Sequence, residues 1–163
     1  MTTNPPRRAV IAGLLSLGAL AACSSGGPSL PASTFALKAS APADTLGLVN
    51  AARRSGRRGA MRIDPAAQRA AERHARAMAR AGRMAHRLRG QPRFGARMKR
   101  DGVALPAAEN VATGQPDARA AVAAWMNSAG HRRNLLDRRF GGVGVASATG
   151  KDGRPYWAMV LTP

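Results

Sequence analysis

Across residues 43–54 the apolar side chains Leu46, Val49 and Ala52 recur at helical spacing, and Gly56 and Gly59 close the run. That spacing predicts a short amphipathic helix. A longer period opens at Asp64-Pro65, a capping residue followed by a first-turn proline, and stops before Gly82. It predicts a helix from Pro65 to Ala81 with Ala67, Ala71, His74, Met78 and Ala81 on one stripe, so that His74 faces the core. Residues 83–115 lose the period and collect Gly90, Pro92, Gly95, Gly102, Pro106 and Gly114, which reads as mostly irregular chain with a helical turn near residues 93–100. After Pro116 a further helix is expected, with Asp117 near its start, Ala118, Ala121, Val122, Trp125 and Ala129 on one face, and a stop at Gly130. Val143 and Val145, then Tyr156 to Leu161, are strand-like and flank the turn sequence Thr149-Gly150-Lys151-Asp152-Gly153, although Gly141, Gly142 and Gly144 weaken the first strand. Helices first and paired strands last define an α+β domain.

The N-terminus follows another pattern. Arg7-Arg8 precede an uncharged run from Val10 to Ala22, and Leu20-Ala21-Ala22-Cys23 places the chain's single cysteine directly behind it. The run is shorter than the roughly 20 residues of a membrane-spanning helix. A charged head, an apolar centre and small residues before a break are the marks of a processing segment. With the cysteine at its end, the segment resembles a bacterial lipoprotein signal. The resemblance implies removal of residues 1–22, lipidation of Cys23, and a protein tethered to a membrane without crossing it. Ser24 and Ser25 after the cysteine then imply an outer-membrane destination facing the periplasm. Residues 23–43, rich in Ser, Gly, Pro and Ala, read as a flexible tether, leaving 44–163 as one domain with no internal repeat.

Charge narrows the partners. Lys and Arg total 26 against 8 acids, a net charge of +18, and residues 1–22 account for only two of the cations. Such a surface favours anionic lipid head groups, lipopolysaccharide, acidic polysaccharide or nucleic acid. With 4% aromatic residues there is little to stack bases on, which sets nucleic acid aside. Once Cys23 is lipidated, no cysteine remains for an intrachain disulfide, so packing alone must hold the core.

Three stretches carry titratable groups in or beside irregular chain: Arg83-Met84-Ala85-His86, Ala108-Glu109-Asn110, and Ser128-Ala129-Gly130-His131-Arg132-Arg133-Asn134. The order in which they fall is specific. His74-Ala-x-x-Met-Ala is followed by Gly82-x-x-x-His86, Glu109-Asn110, Trp125-Met-x-Ser-x-Gly-His131-Arg-x-Asn-Leu-Leu136, Phe140-x-x-Val-Gly-Val145 and Tyr156-Trp157. This succession resembles the bacterial branch of the CAP superfamily, the cysteine-rich secretory, antigen 5 and pathogenesis-related proteins, also called SCP-like domains. It covers nearly all of residues 44–161. The resemblance implies an α-β-α sandwich with a small, mainly antiparallel sheet between helical layers, and a cleft holding His86, Glu109 and His131. Where many eukaryotic members have a second glutamate after the helix tryptophan, this chain has Ser128, so the full acidic-histidine tetrad is absent.

Two imidazoles and a carboxylate converging on a cleft could bind Zn²⁺ with a fourth position open to water. They could equally form a metal-free hydrogen-bonded network in which Glu109 orients a histidine. Neither the HExxH spacing of zinc proteases nor a Gly-x-Ser-x-Gly elbow is present, and Ser128 near His131 has no orienting acid. His74 is expected as a core histidine bonded to backbone, Asn110 and Asn134 as loop braces, and Trp125 and Trp157 as core. Arg80, Arg83, Arg87, Arg89, Arg93, Arg97, Lys99 and Arg100 concentrate charge around His86, either lining a cleft or forming a solvated face. The functional expectation is a lipid-anchored envelope binding module for a lipid, glycan or peptide. The alternatives are a metal-dependent hydrolase of peptide or cell-wall material, and a structural protein contacting anionic envelope polymers.

Overall fold

The computed structural model describes residues 42–163; the signal segment, Cys23 and the tether as far as residue 41 lie outside the described residues, and Pro42 and Ala43, assigned to the tether, open the first helix. Five helices and four strands follow in the order α1 (Pro42–Ser55), β1 (Arg62–Ile63), α2 (Pro65–Ala81), α3 (Phe94–Asp101), β2 (Ala108–Thr113), α4 (Ala118–Asn127), α5 (Ala129–Leu135), β3 (Gly142–Thr149) and β4 (Pro155–Thr162). The sheet order is β1-β3-β4-β2, with β1 parallel to β3 and the other pairs antiparallel.

Alternation along β3 and β4 separates two cores. Ala146, Ala148, Tyr156, Ala158 and Val160 point to α2 and meet Ala71, Ala75, Met78 and Met98. Val143, Val145, Trp157, Met159 and Leu161 point the other way, into α1, α4 and α5, and meet Val49, Trp125 and Leu135. A sheet covered on both faces is an α-β-α sandwich of α+β class, as the resemblance implied. Both tryptophans are buried, as expected.

The caps of α2 are those its sequence announces. The Asp64 carboxylate accepts from the Ala67 N–H at 2.7 Å, and Gly82 closes the helix at φ 58°. The most intimate contact of the fold is where α2 crosses β3. A Cβ on Gly144 would lie 2.2 Å from the Gln68 backbone nitrogen and 2.3 Å from the Ala67 carbonyl carbon. This glycine therefore does not weaken β3; it lets a helix rest directly on the strand. Gln68 uses that proximity. Its side-chain amide donates to the Val145 C=O and accepts from the Val145 N–H, both at 3.0 Å, pairing the edge of β3 just beyond the two-residue β1.

Other expectations are corrected. The stretch 83–115 contains β2, and its expected helical turn is the two-turn helix α3. The helix after Pro116 does not continue to Gly130: it ends at Asn127, and α5 begins at Ala129 and runs through the glycine. Ala129 and Ala81, placed on buried stripes by spacing, are exposed: Ala81 is the last residue of α2, and Ala129 begins α5.

On the α1 side, one buried arginine ties the chain after α1 to the chain around the end of α5. Arg53 is 2% exposed, and its guanidinium donates to the carbonyls of Gly59, Leu135, Asp137 and Phe140 at 2.7–3.1 Å. Burial, and secondarily the charge of Arg58, lowers its pKa. Among the described residues no helix is long and apolar enough to cross a membrane.

Candidate functional site

The adjacent residues Glu109 and Asn110 sit on β2, so their side chains leave opposite faces of the sheet. Each organises one histidine. Glu109 turns toward α2 and α3, where its Oε1 accepts from His86 Nδ1 at 3.1 Å. Arg97 Nη2 donates to Oε1 at 3.1 Å, to Oε2 at 3.0 Å and to the His86 carbonyl at 2.9 Å. The Glu109 and Arg97 side chains are 3% and 4% exposed, whereas that of His86 is 56% exposed. A buried ion pair thus grips both the backbone and the ring of an exposed histidine. Because Nδ1 is directed at the carboxylate, Nε2 is the ring nitrogen left to solvent.

On the other face, Asn110 is fully buried; its amide donates to the His131 carbonyl at 3.0 Å and its oxygen accepts from Asn134 at 3.0 Å. Both asparagines brace His131, but from β2 and from within helix α5, where the sequence suggested loop braces. The rings of His86 and His131 then face one another with centroids 6.2 Å apart and planes at 56°. Burial, and secondarily the charge of His86, lowers the pKa of His131 below its ordinary 6.5. Replacing Asn110 with alanine should leave the His131 carbonyl and the Asn134 amide without their partner. We expect a loss of about 1–3 kcal/mol, read as a lower urea midpoint, with broadened His131 ring resonances.

His74 is buried as expected. Its Nε2–H donates to the Ala85 carbonyl at 3.0 Å, and Glu109 lies 3.6 Å away, beyond hydrogen-bond reach. Burial is the main reason its pKa is lowered, with Arg97 further opposing protonation and Glu109 favouring it. It is a neutral packing group that fixes the loop leading to His86.

The structure therefore brings His86, Glu109 and His131 together, but not as three donors around one point. Both Glu109 oxygens are engaged by Arg97, and the carboxylate lies beneath His86. Among the described residues no group of three or more His, Cys, Asp or Glu side chains is arranged to hold a metal. A catalytic zinc needs about three protein ligands, so this donor set does not fit one as it stands. Nor does a hydrogen bond join Ser128 to His131 among the described residues.

Arg97 is the site residue that sequence reasoning missed, having been grouped with the basic surface. The signal was available: Phe94, Arg97, Met98 and Asp101 stand at i, i+3, i+4 and i+7, the buried face of α3. Of that surface, Arg100 pairs with Asp101 at 2.9 Å, while Arg80, Arg83, Arg87, Arg89, Arg93 and Lys99 are exposed.

A family model described as CAP, the cysteine-rich secretory protein family, matches residues 46–161. The uncharacterized protein YkwD of Bacillus subtilis is 47% identical over 49 residues, 29% of this chain and 19% of that protein. An extracellular SCP-domain protein of Bacillus anthracis superposes with a TM-score of 0.65 at 27% identity, over 74% of this chain and 39% of its own. An outer surface protein of Borrelia burgdorferi has the same fold, with a TM-score of 0.66 at 18% identity over 74% of this chain and 90% of its own. The chain spans about a fifth of the B. subtilis relative and two fifths of the B. anthracis one. With one model running from α1 to β4 and the sandwich those structures share, the chain belongs to the CAP family of cysteine-rich secretory proteins.

Proposed function

We propose that this protein is a binding module of the bacterial cell envelope, held by a lipid on Cys23 at the outer membrane, and that the paired histidines are its ligand-contacting face. The observation that carries this reading is the asymmetry of His86: an exposed ring locked by a buried carboxylate and guanidinium. Fixing an exposed imidazole in one orientation lowers the entropy cost of using it in recognition. His131, kept neutral near pH 7 by its lowered pKa, offers a second donor and acceptor opposite it. A lipid, glycan or peptide hydroxyl or amide suits such a pair. The extracellular and outer-surface descriptions of the structural relatives support the compartment.

The test is ligand capture from solubilised envelope by the protein and its His86→Ala and His131→Ala variants, with retained molecules identified by mass spectrometry. A species kept by the parent and lost from both variants is the expected outcome. Equal retention by all three would remove the histidine face from the proposal.

One observation favours a second reading, hydrolysis of peptide or cell-wall material. A carboxylate on Nδ1 with Nε2 free is the arrangement of an oriented general base. In that reading His86 takes a proton from water and Glu109 stabilises the imidazolium. Turnover would persist in chelator and vanish in His86→Ala. A zinc-dependent version would need ligands beyond His86 and His131, and would require stoichiometric zinc in the purified protein.

A further inference from the structure

The arginines that the histidine site leaves unused converge on another part of the surface. Arg57 and Arg58 follow α1, while Arg132, Arg133, Arg138 and Arg139 lie on α5 and the turn after it. Together they line two adjoining cavities that share Arg58. One, of about 480 Å³, includes Arg57, Arg138 and Arg139; the other, of about 400 Å³, includes Arg132 and Arg133.

We propose that these two cavities form an anion site for a ligand carrying two linked phosphoryl groups, one seated on Arg57 and Arg138 and the other on Arg132 and Arg133, with Arg58 between them.

Four features argue against a merely solvated face. The floor is built: buried Arg53 ties both segments together through backbone carbonyls, so the cations are held on a scaffold and not on separate mobile loops. Arg58 is oriented, its Nε–H donating to the Leu136 carbonyl at 2.7 Å and its Nη1 to the Arg57 carbonyl at 3.4 Å. Arg57 has a φ of 54°, a left-handed conformation costly to any residue with a Cβ, in a loop already rich in glycine. Finally, the neighbouring acid already has its own cation. Asp137 is held by Arg139 at 2.6 Å, and hydrogen bonds from Arg139 bring its pKa down to about 2. Among the described residues Arg57, Arg132, Arg133 and Arg138 have no carboxylate partner.

Like charges gathered without counter-charges raise the energy of the folded state, and an anion bound between them lowers it. Chloride can do so only by general screening. A diphosphoryl group does so by charge-assisted, geometrically matched hydrogen bonds to guanidinium. Ligand binding should therefore appear as stabilisation specific to the phosphoryl anion.

The experiment titrates the full chain carrying Cys23→Ser, so that no lipid anchor contributes, with inorganic pyrophosphate, and follows the thermal midpoint and amide NMR shifts. We expect a saturable rise in midpoint that sodium chloride at matched ionic strength does not reproduce. Arg57→Gln, Arg133→Gln and Arg138→Gln combined should weaken pyrophosphate at least about tenfold, the equivalent of one charged hydrogen bond. These three side chains make no hydrogen bond to the described fold, so the ligand-free midpoint should hold or rise as their mutual repulsion is relieved. His131→Gln should keep its pyrophosphate affinity, which separates this site from the histidine face. Equal stabilisation by chloride, or unchanged affinity in the triple variant, would overturn the proposal. Phosphatidylcholine vesicles containing a polyprenyl diphosphate, against phosphatidylcholine alone, then identify the source. Sedimentation with the anionic vesicles that the triple variant loses assigns the site to lipid phosphate, and its absence assigns it to soluble diphosphoryl compounds.

Discussion

Gly144→Ala is expected to prevent folding. The added methyl would meet the backbone of α2 at 2.2–2.4 Å, at Gln68 nitrogen and Cα and Ala67 carbonyl carbon. Backbone cannot rotate aside as a side-chain tip can, so α2 would have to lift from β3. Lifting it opens the core of Ala71, Ala75, Met78 and Ala146, and breaks both Gln68 bonds to Val145. Overpacking alone costs about 1–3 kcal/mol, occasionally more. Adding lost burial brings the expected total above about 4 kcal/mol, a large part of the roughly 5–15 kcal/mol that stabilises a domain. Soluble yield, near-ultraviolet circular dichroism and protease resistance should all collapse. Gly47→Ala is the control: it lies within α1, its new methyl meets nothing within 4 Å, and it should be neutral or stabilising by up to about 1 kcal/mol. Native-like behaviour of Gly144→Ala would mean that α2 and β3 are not in direct backbone contact.

Arg97→Met should cost about 3–5 kcal/mol, because it leaves the buried Glu109 carboxylate with no cation against it. The effect reaches the site by two routes, since Arg97 also holds the His86 carbonyl. Chemical denaturation should show the lost stability, and the His86 ring should gain mobility in NMR relaxation. Arg97→Met combined with Glu109→Leu should recover much of the deficit, because removing both charges also removes their desolvation cost. The double variant should nevertheless keep a mobile His86. Stability and ring order would then separate, as expected if the pair is there to position the histidine. A double variant no more stable than Arg97→Met would show that the cost arises from packing and not from charge.

Much of this could be read from the chain before its structure. Asp64, Pro65 and Gly82 mark α2 because caps and breakers act locally, within a few residues of the backbone they satisfy. Tyr156 to Leu161 announces β4 through its apolar run. The elements that escaped are those whose reasons lie elsewhere in the molecule. β1 is two residues long and exists only because β3 is there to pair with it. In β2 the polar pair Glu109-Asn110 hides a strand paired along its whole length with β4, since those side chains are satisfied by Arg97, His86, His131 and Asn134. Gly144 reads as a defect in a strand until the helix above it is seen. Family resemblance placed His86, Glu109 and His131 near one another. It did not reveal that the carboxylate is covered by a guanidinium, which changes the chemistry the three can perform.

The order of strands also sets the order of events as the chain is made. β3 and β4, the last two elements in sequence, occupy the middle of the sheet, while β1 and β2, made earlier, lie at its edges with no contact to each other. Until the final hairpin emerges, α2 has no sheet to cover, α1 and α4 have no second wall, and Glu109 and Asn110 stand on a strand without a neighbour. Vectorial synthesis therefore delivers a chain whose helices wait, uncommitted, for the centre to arrive. Neither core can close until the last residues of the chain are in place.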